Sequence, residues 1–180
     1  MYLQALEMSQ QLLGPQHPDV AASLNSLAGL YQSQEKYQQA ELLYLQALEI
    51  KKQLLGQQHL FVAISLHKLA ELYQSQEKYQ QAELLHLQAL EIEKQLLGPQ
   101  HPFVAISSHN LAELYQSQGK YSEARPLYQQ ALDIAERKLG TNHPNTVVIR
   151  ENLEILDQEI EPQMNTDGRR WTQMDADDII

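Results

Sequence analysis

The sequence copies itself every 42 residues. Tyr2-Leu-Gln-Ala-Leu-Glu7 returns at Tyr44 to Glu49, His86 to Glu91 and Tyr128 to Asp133. Leu27-Ala-Gly-Leu-Tyr-Gln-Ser-Gln-Glu-Lys-Tyr37 returns at Leu69 to Tyr79 and at Leu111 to Tyr121. Four histidines, His17, His59, His101 and His143, keep the same step. A fixed period without insertions requires each unit to pack against its neighbours in one way, which points to a stacked array.

Each unit reads as two helices. The first, from about Pro18 to Ser33, carries Val20, Leu24, Leu27, Ala28 and Tyr31 on one stripe, the i, i+3, i+4, i+7 spacing of an amphipathic helix. The second, from about Tyr37 to Leu55, carries Ala40, Leu43, Tyr44, Ala47, Leu48, Leu54 and Leu55. Pro18, Pro102 and Pro144 fit a first helical position, where proline has no donor to lose. Gly14, Gly56, Gly98 and Gly140 follow the second helices, where a left-handed C′ residue is least strained as glycine. Ala28, Ala70 and Ala112, with Ala40, Ala82 and Ala124, let paired helices approach closely. Tyr31, Tyr73 and Tyr115 are expected to fill the wedge between units.

The period divides the chain into the second helix of a truncated repeat (1–13), three repeats (14–55, 56–97 and 98–139), a capping helix (140–161) and a flexible acidic tail (162–180). In the cap, Glu154 replaces the small Ala112, Asp157 replaces Tyr115 and Pro162 replaces Lys120, giving the polar outer face that ends an array. Beginning in mid-repeat, the chain is expected to be a fragment of a longer protein, with Leu3, Leu6 and Leu13 left without a preceding partner.

Composition narrows the function. With 13 Lys+Arg against 23 Asp+Glu the formal charge is −10, which disfavours phosphate-neutralising binding to nucleic acid and docking on anionic membranes. The chain has no cysteine, so disulfides, thiolate metal sites and thiol catalysis fall away, in keeping with a cytoplasmic protein. No apolar run approaches the roughly 18 residues of a membrane span.

No cofactor, metal site or catalytic centre is expected. The four periodic histidines sit at successive helix entries, and first helices of an array lie on the order of 10–20 Å apart, given axial separations of about 8–10 Å. That is too far to share one ion, whose ligands stand within about 2.2 Å. Capping or loop packing suits them better. His67 with Glu71, and His109 with Glu113, are i, i+4 pairs that could bind a surface ion or exchange a proton, or simply form favourable helix-face pairs. There is no His-Glu-x-x-His, phosphate-cradling glycine loop or Gly-x-Ser-x-Gly turn. Spacing alone brings no histidine to a serine.

Leu27, Ala28, Tyr31, Ala40, Tyr44, Ala47 and Leu48 follow the tetratricopeptide pattern. The Leu-Gly-Pro-Gln-His-Pro segment, together with Leu-Ala-Glu-Leu-Tyr-Gln-Ser-Gln-Gly-Lys-Tyr, resembles the repeats of kinesin light chain and its bacterial relatives across residues 1 to about 160. The resemblance implies an all-α, right-handed α-solenoid of antiparallel helix pairs that binds other proteins as a scaffold or adaptor. In such arrays the first helices line a concave groove. The register puts Asn25, His67, His109 and Glu151 in one row of it and Ser26, Lys68, Asn110 and Asn152 in the next. Gly29, Glu71 and Glu113 follow, then Gln32, Gln74 and Gln116. Amides suit peptide recognition because each both donates to and accepts from a backbone. A solvated helix face is the plainer reading of any one of these residues.

Kinesin light chain repeats use such a groove for short peptides with a tryptophan among acidic residues. Here Asn110 and Asn152 match polar groove positions, Lys68 is the formal cation of the rows with Arg150 nearby, and Glu71 and Glu113 oppose an acidic ligand. The expected partner is therefore a protein or peptide of unspecified sequence. Self-association into a homo-oligomer through the open N-terminal end or the tail is an alternative, as is a regulatory repeat region of a larger signalling or enzymatic protein. Arg170-Trp171 followed by Asp175, Asp177 and Asp178 also makes the tail a candidate ligand for the chain's own groove.

Overall fold

The computed structural model describes residues 2–160, apart from the side chains of Tyr2, Leu3 and Ala5. The expectations for Leu3 and for the tail lie outside the described residues. Those residues form eight helices: α1 Tyr2–Leu13, α2 Pro18–Ser33, α3 Tyr37–Leu55, α4 Leu60–Ser75, α5 Tyr79–Leu97, α6 Pro102–Ser117, α7 Tyr121–Leu139 and α8 Pro144–Ile160. The chain divides into two compact units, Met1–Ser107 and Ser108–Ile180, with the boundary inside α6.

The periodic histidines open the helices by capping them. Nδ1 of His17, His59, His101 and His143 accepts from the backbone N–H two residues ahead, at Asp19, Phe61, Phe103 and Asn145 respectively, over 3.1–3.2 Å. Each ring thereby satisfies one donor that the first helical turn leaves unpaired.

The turn between the two helices of a repeat is a Schellman closure. Lys36 N–H donates to Tyr31 O and Glu35 N–H to Gln32 O, each at 2.9 Å, and the pattern recurs at Lys78 with Tyr73 and at Lys120 with Tyr115. The geometry demands a left-handed residue, and Glu35 and Glu77 supply it at φ 58, where Gly119 has φ 69. After the second helices the chain also turns through positive φ, but Gly56, Gly98 and Gly140 combine φ of 84, 83 and 95 with ψ near 154–163. That extended, positive-φ region is more restricted to glycine than the left-handed helical conformation expected at these positions.

In the first unit, Leu6 of α1 packs with Val20, Ala21, Leu24 and Leu27 of α2 and Ala47 and Ile50 of α3. Leu6 is buried against the helices that follow it, whereas Leu13 is exposed. Val62, Leu66, Leu69, Ala70 and Leu72 of α4 are buried, as are Ala82, Ala89 and Ile92 of α5. In the second unit, Leu111, Ala112 and Leu114 of α6, Ala124, Tyr128 and Ile134 of α7, and Ile149, Leu153 and Leu156 of α8 are buried. All six small-residue positions have no exposed surface.

The wedge tyrosines behave less uniformly than expected. Tyr73 is buried, while Tyr31 and Tyr115 are only half-buried. The ammonium of the turn lysine lies over each ring instead, 5.4–5.7 Å from the centroid at Lys36, Lys78 and Lys120. Tyr73 Oη donates to Glu41 Oε1 at 2.9 Å, and burial with that bond pushes its hydroxyl up to about 12. At the same two positions of the register the second unit has Asp157 and Arg125, joined at 2.8 and 3.3 Å. The tie is kept while its chemistry is exchanged.

Leu54 and Leu55 depart from the expected core stripe. At the last turn of α3 they are 45% and 40% exposed. No helix among the described residues is long and apolar enough to cross a membrane.

Candidate peptide-binding site

The exposed end of α3 borders a cavity of about 620 Å³ in the first unit. Pro18, Asp19, Ala22 and Asn25 of α2 form one wall, Lys51, Leu54 and Leu55 of α3 another, and Phe61 of α4 closes the side. A cavity of this size can hold a large side chain or a small ligand. It is lined mostly by carbon, and besides the exposed Asp19 at its edge it holds Asn25 and Lys51, polar groups of opposite hydrogen-bonding sense. Asn25 Oδ1 is buried and has no hydrogen-bond partner. Lys51 Nζ donates to Ser65 Oγ at 2.7 Å, and burial lowers the ammonium's pKa from its ordinary value. One group is an acceptor lacking a donor; the other is a half-buried cation whose bonded partner is a neutral hydroxyl.

The register shows how the same positions differ one repeat later. Adding 42 to Ala22, Asn25, Lys51 and Ser65 gives Ile64, His67, Glu93 and Ser107. In that second set His67 and Glu93 are buried and bonded together with Ser107. Ala22 is three carbons smaller than Ile64, and Asn25 is smaller than His67. Beside the cavity the first repeat carries the smaller Ala22 and Asn25, where the second carries Ile64, 44% exposed, and the buried His67.

The first-helix rows read from the sequence fall into three kinds of environment. In the first unit, Asn25 lines the cavity, Ser26 is exposed with its hydroxyl donating to Ala22 O at 3.0 Å, and Gln74 is half-buried. Lys68 and Glu71 pair with each other at 2.8 Å, so the cation of the rows is already neutralised by its neighbour. His67 is buried in internal bonds. In the second unit, Asn152 Nδ2 donates to His109 Nε2 at 2.9 Å and to Glu113 Oε1 at 3.1 Å. Gln116 donates to Glu159 at 2.9 Å and accepts from Tyr128 Oη at 2.8 Å. These side chains tie α6 to α8 and α7 within the unit. Asn110 is half-buried. Arg150 is engaged by Glu136 at 2.7 Å and by Thr141 O at 3.2 Å.

Sequence reasoning missed Lys51, Phe61 and the bonded set His67, His86, Glu93 and Ser107. It also found no histidine near a serine, whereas Ser107 Oγ lies 2.8 Å from His67 Nε2. That contact joins residues 40 apart, a separation belonging to packing between repeats. The available signal was variation at a fixed register: Lys51, Glu93 and Ala135 occupy one position, preceded in turn by Ala-Leu-Glu-Ile, Ala-Leu-Glu-Ile and Ala-Leu-Asp-Ile.

The tetratricopeptide repeat model matches residues 1–53, 27–95, 61–137 and 108–161. A Podosopora anserina kinesin light chain-type protein with nearly identical TPR-like repeats superposes with a TM-score of 0.73 at 30% identity, over 90% of this chain and 77% of the other. The structure of BtubC (BKLC) from P. vanneervenii gives 0.67 at 23% identity, over 94% and 75%. The first TPR of Spaghetti (RPAP3), solved with the HSP90 peptide SRMEEVD, shares the fold with a TM-score of 0.57 at 15% identity, over 81% and 96%. No curated protein sequence matches the chain. Helix pairs repeated at 42 residues, closed by the same caps and turns, and matched by the repeat model along nearly the whole described length, make this chain a member of the tetratricopeptide repeat family.

Proposed function

We propose that the chain is a protein-interaction module that takes an extended segment of a partner protein along its first-helix face, with one large apolar side chain of the segment seated in the first-unit cavity. The carrying observation is the cavity itself, which joins about 620 Å³ of mainly apolar space to an unpartnered buried acceptor, Asn25 Oδ1. A ligand with an N–H donor would satisfy that oxygen, whose burial without a partner costs on the order of 1–3 kcal/mol. A carbonyl or carboxylate of the segment would reach Lys51, which lacks a carboxylate partner of its own. Other members of the fold support peptide binding as the mode, one having been solved with an HSP90 peptide. Lys68, Glu71 and Gln74 are proposed as flanking contacts in the first unit, and Asn110 as a contact of the second. Asn152, His109, Glu113 and Gln116 are proposed to contribute with whatever hydrogen-bonding capacity their internal bonds leave free.

The reading is tested by selecting a random peptide library on the full chain and counter-selecting on the Lys51→Glu variant. Enrichment of peptides that carry a large apolar residue beside an acceptor, and that the variant rejects, is the expected result. Peptides that bind both proteins equally would place recognition elsewhere.

A further inference from the structure

Tyr44 and Tyr128 occupy the same register position, and their hydroxyls donate to Gln32 and Gln116 at 3.2 and 2.8 Å. Between them stands His86, 1% exposed. Its imidazole meets a second ring instead. His86 Nδ1 lies 2.8 Å from His67 Nδ1, with ring centroids 5.1 Å apart. On its far side, His67 Nε2 lies 2.8 Å from Ser107 Oγ and 3.3 Å from Glu93 Oε1. Ser107 Oγ donates to Glu93 Oε2. The four residues are buried, and Ser107 belongs to the part of α6 within the first unit.

Proton positions in this chain follow from donor counting. Glu93 as a carboxylate only accepts, so it takes the single hydroxyl proton of Ser107. Ser107 Oγ must then accept from His67, which fixes the proton of neutral His67 on Nε2. His67 Nδ1 is left bare, so the 2.8 Å contact is a hydrogen bond only if His86 carries its proton on Nδ1. His86 Nε2 is then bare as well, and it is buried without a partner.

We propose that His86, His67, Ser107 and Glu93 form a buried relay that takes up one proton and admits no second. The incoming proton adds to the bare Nε2 of His86, and the shared proton moves from His86 Nδ1 to His67 Nδ1. The pair goes from two N–H groups to three, and the positive charge rests on His67, against Glu93. A further proton would have to sit on His86 Nδ1, placing two N–H groups head to head across 2.8 Å. Several charged groups on the packing helices hold other partners. Lys51 on α3 bonds Ser65, Glu41 on α3 bonds Tyr73 and pairs with Lys78, Lys68 and Glu71 on α4 pair together, and His101 caps α6. Desolvation, reinforced by His67, lowers the His86 imidazole to about 3, in keeping with exclusion of the second charge.

Long-range 1H–15N imidazole spectra of the full chain test the relay. At neutral pH, His86 is expected as the Nδ1–H tautomer and His67 as Nε2–H. On acidification one step should convert His67 to the doubly protonated ring while His86 changes to Nε2–H. Glu93→Gln removes the anion beside His67 and should suppress the acid-form pattern, so that the Nδ1–H signal of His67 and the Nε2–H signal of His86 no longer appear together. A Nε2–H tautomer of His86 at neutral pH, or separate titration of the two rings to imidazolium, would overturn the proposal.

Discussion

Lys51 Nζ on α3 donates to Ser65 Oγ on α4 at 2.7 Å, so a half-buried cation is held by a neutral hydroxyl at the rim of the cavity. One repeat later the corresponding residues are Glu93 and Ser107, and the polarity of the bond is reversed, with the hydroxyl donating to the carboxylate. The two sites share a register and differ in the sign of the charge that the serine meets.

Flanking contacts should affect binding more than stability. Lys68 is exposed and pairs with Glu71 one turn on, the type of surface bond that contributes little to folding. Lys68→Ala and Asn110→Ala are expected to weaken binding of a selected peptide while changing stability by less than about 0.5 kcal/mol. Unchanged affinity in the double variant would remove these residues from the interface.

The core between neighbouring repeats should be intolerant of truncation. Leu69 is 2% exposed, and Leu69→Ala is expected to lower unfolding free energy by about 2–5 kcal/mol through the lost burial and the cavity left behind. Denaturant titration reads this directly, and a loss below about 1 kcal/mol would contradict the packing described.

The turn makes an opposite expectation. Glu77 adopts φ 58 in a Schellman closure where the next repeat has Gly119. A left-handed backbone costs a non-glycine residue about 1 kcal/mol, while glycine adds entropy to the unfolded chain. Glu77→Gly is therefore expected to be neutral or to raise the melting temperature. A clear drop would mean that the Glu77 side chain contributes a contact outweighing the strain.

Acid should destabilise the first unit through His86. Its folded-state pKa, about 3, lies below the 6.5 of an unperturbed histidine. The unfolded chain therefore gains a proton that the folded chain refuses. Stability is full above about 6.5 and declines as pH falls toward 3, by on the order of 1 kcal/mol per unit below about 6. His86→Tyr, which restores the residue found at Tyr44 and Tyr128, should flatten that decline in thermal melts between neutral pH and the acid transition. An equal decline in the variant would assign it to other groups.

Much of the fold was legible because the repeat prints each structural rule several times. Pro18, Pro102 and Pro144 begin helices, and the glycine at 119 exposes the backbone requirement that Glu35 and Glu77 meet under strain. The histidine caps were legible as structural for the same reason. The cavity was not, since it arises from residues that are small or differently charged in one repeat, and only packing turns Ala22 and Asn25 into empty space. The polar rows were legible as positions but not as contacts. His67 and His109 look like groove residues along the helix, yet they are drawn inward by His86 and by Asn152, partners that no local spacing announces.

The central claim rests on the cavity, and filling it is the most direct test. Ala22→Ile installs the residue that stands at the same register position, Ile64, on an exposed site of α2. Titration calorimetry of a library-selected peptide against the full chain and this variant is the measurement. The expected result is at least about a tenfold loss of affinity, equivalent to roughly 1.4 kcal/mol, with the melting temperature preserved. Full affinity in a folded Ala22→Ile variant would contradict the account.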